Sequence, residues 1–290
     1  MVALRERMLD SYEDWWEDLP AEPIGVDGQA MPGWRTFFAE CPALDFGAIK
    51  EDLQIADVAL VWPGRRNIPN GEAPQSAHIC RAFERIEPEG VRVVVLGQDL
   101  YPVIAQATGR AFEDGAWDGE RTEDMAGSLK SLMLAAVATR GGHADLFRPG
   151  SWPEVRRQIR DGELVFPALS DYFITLAGQG VLFVNAAWTR TADEHLVAHR
   201  SLWKPVLDYM LGKLAQNNQP VVFLLLGGDA SEAVCAADPV CNRSAIVNTA
   251  HPGRWGFLRR RNPLVRVNHA LGELGADPVP WWPDPPPGPV

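Results

Sequence analysis

The sequence of 290 residues predicts an α/β fold of three layers, with helices on both faces of a central, mostly parallel four-stranded sheet. Four short apolar runs carry this prediction: VRVVVLG at 91–97, GVLFVNAA at 180–187, VVFLLLG at 221–227 and SAIVNTAH at 244–251. They are rich in β-branched residues and bounded by turn residues, as strands buried on both faces are. Helical patterns fill the intervals, roughly at 128–140, 168–178, 201–215 and 229–235. Apolar strands alternating with helices pack as a parallel sheet covered on both sides.

The flanks read differently. Residues 1–30 form an acidic N-terminal extension, closed by a Gly/Pro break between Gly25 and Pro32. Residues 31–282 are expected as the main domain. The proline-rich segment 283–290 is expected as an extended tail, since proline cannot continue a helix or an inner strand.

Composition narrows the class. Hydrophobic residues make up 46% and charged residues 22%, ordinary for a globular protein able to bury a full core. No apolar run is long enough to span a membrane, and the first twenty residues lack the apolar centre of a secretion signal. A cytoplasmic monomer is therefore expected. Cys41, Cys80, Cys235 and Cys241 form no CxxC pair and stand at no zinc spacing from a histidine, so neither a metal nor a structural disulfide is expected.

The net charge of −11 argues against a protein that coats nucleic acid without specificity. The charge is uneven, however. Residues 1–27 hold eight acids against Arg5 and Arg7, whereas Arg254, Arg259, Arg260, Arg261 and Arg266 follow one another with no acid between them. Such a run is either a solvated face or a phosphate-binding patch.

Polar groups end three of the strands: Gln98-Asp99 after the first, Asn185 in the second, and Asn248 through His251 in the fourth. Ligands of open parallel sheets bind beyond the carboxyl ends of the strands. A single aspartate after a strand is usually a helix cap, but Asp, Asn and His arriving from three strands indicate a site.

Within this set, Gly97-Gln98-Asp99-Leu100-Tyr101, followed by Gln106 and by Gly109-Arg110-Ala111-Phe112, resembles the water-activating motif of uracil-DNA glycosylases. Val184-Asn185 with Thr189 resembles that family's base-reading strand. His251-Pro252 and the arginines after it resemble its DNA-intercalation loop, and Asp229-Ala230 resembles the turn after a core strand. The resemblance covers roughly residues 31–282. It implies a uracil-DNA glycosylase-like fold and a monofunctional DNA glycosylase, with single- or double-stranded DNA as partner and no cofactor.

The resemblance also implies the role of each residue. Asp99 would stabilise an oxocarbenium-like sugar and orient water. His251 would donate to the O2 atom of the leaving base, in the manner of an oxyanion hole. Phe112 would stack on the flipped-out base, Asn185 and Gln98 would read it, and Tyr101 would pack where a 5-methyl group would sit. Ser128, Arg254, Trp255, Arg259, Arg260 and Arg261 would hold DNA, Trp255 either wedging the base stack or packing into the fold.

Several positions depart from the family's pattern. Leu100 replaces a proline and Pro102 a histidine; the proline-rich loop before Ser128 is missing; Gly253-Arg254-Trp255-Gly256-Phe257 stands where the family has serine, proline and a wedge leucine. Pro102 is expected to shift the Tyr101 ring. Three readings stand open: uracil excision, excision of another modified pyrimidine such as a hypermodified phage base, and a silent DNA- or protein-binding module on this fold.

Overall fold

The computed structural model describes residues 1–24, 29–68, 70–117, 124–165, 169–191, 195–228, 230–232 and 244–282. The four apolar runs form strands β3 (Val93–Gly97), β4 (Val181–Asn185), β5 (Val221–Leu226) and β6 (Ser244–Thr249). Their order is β4-β3-β5-β6, and every pairing is parallel. A short antiparallel pair, β1 (Val2–Ala3) with β2 (Gln54–Ile55), lies apart from this sheet.

Strand residues alternate between two cores, as the two-residue period of a strand requires. Val94, Leu96, Leu182, Val184, Phe223 and Leu225 belong to one core, with helices α1 (Leu4–Tyr12), α2 (Trp34–Phe37) and α6 (Leu196–Ala215). Val93, Val95, Val181, Phe183, Leu224 and Leu226 face the other. That core is completed by α3 (Gly127–Val137), α4 (Trp152–Arg160), α5 (Leu169–Gly178) and α7 (Pro263–Glu273). These are the three layers that two-sided apolar strands demand. The helical pattern at 229–235 and the tail at 283–290 fall largely or wholly outside the described residues, as do Asp229, Cys235 and Cys241.

The N-terminal segment corrects the expectation of an acidic appendage. Leu4, Met8 and Tyr12, one α-helical turn apart, are buried, and Trp15 packs edge-on against Phe38, Trp188 and Trp203. Of the acids that dominate the charge count, Glu6 and Asp10 lie on the outer face of the same helix, and Glu13 caps its end, exposed. Asp18 is buried but pairs with Arg65 at 2.9 Å and accepts the Arg66 amide at 2.8 Å. Charge counting misses a buried stripe because it sums both faces of a helix.

Among the described cysteines, Cys41 and Cys80 are free. Burial pushes the Cys41 thiol up to about 12, so it stays protonated. No described helix is long and apolar enough to cross a membrane, and the described residues hold no cluster of three potential metal ligands.

Candidate active site

Strand order reverses around β3, which leaves a crevice beyond the carboxyl ends of the sheet. A cavity of about 340 Å³ opens there, lined by Gln98, Asp99, Tyr101, Phe112, Ser128, Asn185 and His251 among others. All six residues expected to act on the base or its bond therefore share one pocket, together with Ser128.

Two glycines make room for this assembly. Gly97 faces Asn185 in the β3–β4 register, and a Cβ on it would overlap Asn185 Oδ1 and come within 3.2 Å of the Phe112 ring. Gly227, at φ +117°, lets the His251 side chain approach the end of β5; a Cβ there would stand 3.3 Å from that of His251.

Phe112 adopts φ +65°, unusual for a bulky residue. The turn is held by a buried charge network: Arg81 forks onto Glu113 at 2.8 and 3.1 Å, and Arg110 pairs with Glu113 at 3.2 Å. Burial alone would raise the Glu113 carboxyl, yet the two arginines pull it below its ordinary range. A backbone conformation of this kind persists where its surroundings over-determine it, and such positions gather at binding sites. The Phe112 ring lies 5.9 Å from the His251 ring, tilted by 39°.

His251 is held in one tautomer. Its Nδ1 accepts the Gly253 amide at 3.0 Å, so the ring proton sits on Nε2 and the imidazole is a neutral donor at that atom. The same turn is closed by the Arg254 amide donating to the His251 carbonyl at 2.8 Å.

The loop after β3 is tied through its carbonyl groups. Arg190 Nη1 donates to Leu100 O at 3.0 Å and Trp62 Nε1 to Tyr101 O at 3.1 Å. Pro102 lacks an N–H, and neither of these ties uses one. The Tyr101 hydroxyl donates to Phe112 O at 3.1 Å and meets Ser128 Oγ at 3.2 Å. With the phenol proton spent on the Phe112 carbonyl, Ser128 is the donor of the second bond. The tyrosine ring is thus tethered at the pocket wall. Ser128 joins that wall at the first turn of α3.

Asp99 is 8% exposed, and Arg200 of α6 approaches its Oδ1 with Nε at 3.4 Å. The sequence reading missed Arg200, which looks like one more surface cation within a helical pattern. It gave Arg110 no role beyond its place in the motif and missed Arg190; both line the pocket. Arg190 had a signal, a cation a few residues beyond a strand end.

The arginine run divides from the pocket but adjoins it in the chain. Phe257 is buried and anchors the loop, while Arg254, Arg259, Arg260 and Arg261 are exposed. Trp255 is 73% exposed, with the Arg259 guanidinium 3.4 Å from its ring centroid, so it does not pack into the fold.

No protein-family profile matches the chain. Uracil-DNA glycosylase 1 of Streptomyces coelicolor is 31% identical over 230 residues, which cover 77% of this chain and 84% of that protein. The uracil-DNA glycosylase of a Parafrankia species is 29% identical over 269 residues, covering 91% and 99% of the two chains. Among solved structures, UNG of Nitratifractor salsuginis aligns with a TM-score of 0.52 at 23% identity, covering 68% of this chain and 76% of that one. A mimivirus UNG variant in complex with UGI aligns with a TM-score of 0.55 at 17% identity, over 96% and 94% of the chains. These two likenesses concern the fold.

Proposed function

The chain belongs to the uracil-DNA glycosylase family, and from that premise we propose that it excises uracil from DNA through Asp99 and His251. It is a monofunctional DNA glycosylase, hydrolysing an N-glycosidic bond. One observation carries the assignment of roles: a carboxylate, an Nε2–H donor, an aromatic face and a buried amide line a single pocket at the strand ends.

The target base must leave the stack before it can enter such a pocket. Phe112 offers a ring face for it, and Asn185, buried at the end of β4, offers an amide to its edge. As the C1′–N1 bond breaks, its electron pair passes to the base. His251 Nε2–H donates to the O2 atom where that charge collects. Asp99 faces the sugar, whose positive charge it stabilises, and accepts a proton from the water that bonds to C1′. The products are an abasic site and a free base that carries one proton from solvent or from Asp99.

The tethered Tyr101 ring supports uracil over pyrimidines with larger 5-substituents. Exposed arginines beside the His251 turn support phosphate binding, since Arg254, Arg260 and Arg261 form no ion pair among the described residues. The exposure of Trp255 in the same loop supports its entry into the base stack. The test is incubation with oligonucleotides carrying uracil, 5-hydroxymethyluracil, thymine or glucosylated hydroxymethylcytosine, single- and double-stranded, followed by alkaline cleavage at abasic sites. Release of uracil alone is expected. Release of only the glucosylated base transfers the activity to hypermodified DNA, and no release by a folded, DNA-binding protein leaves a silent module.

A further inference from the structure

The salt bridge from Arg200 to Asp99 has no part in the hydrolysis described above. Resting on that reading of Asp99, we propose that Arg200 is a positioning residue that leaves Asp99 for a phosphate flanking the flipped nucleotide. The field of the carboxylate is then relieved of this guanidinium only in the DNA complex.

Electrostatics motivates the exchange. Asp99 acts by opposing a positive charge that grows on the sugar, and a guanidinium 3.4 Å from its Oδ1 offsets that field. In the free protein the same cation compensates a carboxylate that is only 8% exposed. One cation therefore stabilises the resting site and opposes the reaction, unless a second anion draws it away.

The geometry lets it be drawn away. Arg200 meets Asp99 side-on, through Nε, and is itself 27% exposed. The contacting Nε and Oδ1 are buried, but at 3.4 Å they stand further apart than in a charge-assisted hydrogen bond. A phosphate accepts the guanidinium fork in two parallel bonds, a stronger arrangement. Leu196 lines the pocket, and Arg200 lies one helical turn beyond it on the same face of α6. A sugar seated beside Asp99 brings its two covalently attached phosphates to that rim.

The platform beneath Arg200 is rigid, so the exchange moves the side chain and not the helix. His199, next in the chain, bridges Thr189 Oγ1 at 2.9 Å and Thr191 Oγ1 at 3.0 Å, while Trp203 Nε1 donates to Thr189 Oγ1 at 2.7 Å. These bonds bolt the first turns of α6 to the segment after β4. The loop 98–102 offers no cation of its own, having Pro102 as its last residue. Of the arginines that line the pocket, Arg190 has Nη1 on the Leu100 carbonyl and Arg110 pairs with Glu113.

The test compares two uracil oligonucleotides, one with ordinary phosphodiesters and one with neutral methylphosphonates on both sides of the uridine. Single-turnover release is measured for the native protein and for Arg200→Gln. The native protein is expected to lose about tenfold more than Arg200→Gln when the linkages are neutral, because only it gains from the phosphates through Arg200. A difference below about threefold overturns the inference, including the case in which Arg200→Gln is slower by one factor on both substrates. Should Arg200→Gln fail to fold, Arg200→Lys keeps the charge without the fork; its loss is expected to be at least about threefold smaller than the native one, and an equal loss overturns the inference. If the native protein releases no uracil at all, the functional reading fails separately. Binding of the same two oligonucleotides, followed by fluorescence anisotropy, then decides the exchange by the same comparison of losses.

Discussion

Gly97 and Asn185 face each other across the parallel register of β3 and β4, and the absent side chain of the first is the space the second occupies. Gly97→Ala is expected to push Asn185 and the Phe112 ring apart. Misplacements of about 1 Å in a catalytic site cost on the order of 100-fold in rate, whereas overpacking typically costs about 1–3 kcal/mol of stability. Uracil release should therefore fall much further than the melting temperature suggests. Single-turnover kinetics beside thermal denaturation check this, and an unchanged rate would place Asn185 outside base recognition.

Asp99→Asn and His251→Ala are each expected to slow release by about 100- to 1,000-fold, as loss of one preorganised stabilising group does. Circular dichroism should show both variants folded. Near-normal release by Asp99→Asn would refute the roles assigned above.

Tyr101 is tied to Phe112 O and Ser128 Oγ, so it walls the pocket rather than leaving it open. Tyr101→Ala should newly admit thymine, measurable as abasic sites in duplexes that the native protein leaves intact. If the variant rejects thymine as the native protein does, something other than this ring excludes 5-substituents.

Arg259, Arg260 and Arg261 are exposed beside the site. Neutralising all three should weaken binding to every sequence alike and flatten its salt dependence by up to about 0.9 log unit for each phosphate that is no longer neutralised. Binding isotherms from low to moderate salt give the slope directly; no change in it assigns the run to a solvated face.

Glu84 accepts from His78 Nε2 at 3.0 Å and from Arg66 Nη1 at 2.7 Å, beneath the turn that carries Phe112. Burial raises its carboxyl, but these partners outweigh it and hold it at about 2 against an ordinary 4.5. On acidification the unfolded chain takes up this proton first. The stabilisation is thus complete above about pH 4.5 and lost as pH falls through about 2. Urea denaturation across that window should show a shallower acid loss in Glu84→Gln than in the native protein. Parallel curves would mean that Glu84 contributes nothing to acid stability.

By itself the sequence determined the sheet and most of the pocket. Apolar runs, turn residues and polar strand ends are local signals, and a parallel sheet converts strand ends into one crevice without further information. Asp99, Asn185 and His251 were legible for that reason, and the motif around Gly97 and Phe112 supplied the rest. What the tertiary structure alone decided depends on partners distant in the chain. The acidic count of residues 1–27 hid the buried stripe of Leu4, Met8 and Tyr12, because composition sums over a helix and burial selects one face. The partners that fix Tyr101 were not legible from Pro102, because Trp62 and Ser128 hold that residue from elsewhere in the chain. Arg200 read as an ordinary surface cation until folding laid α6 beside the end of β3, since a charge takes its meaning from the partner that the fold brings within reach.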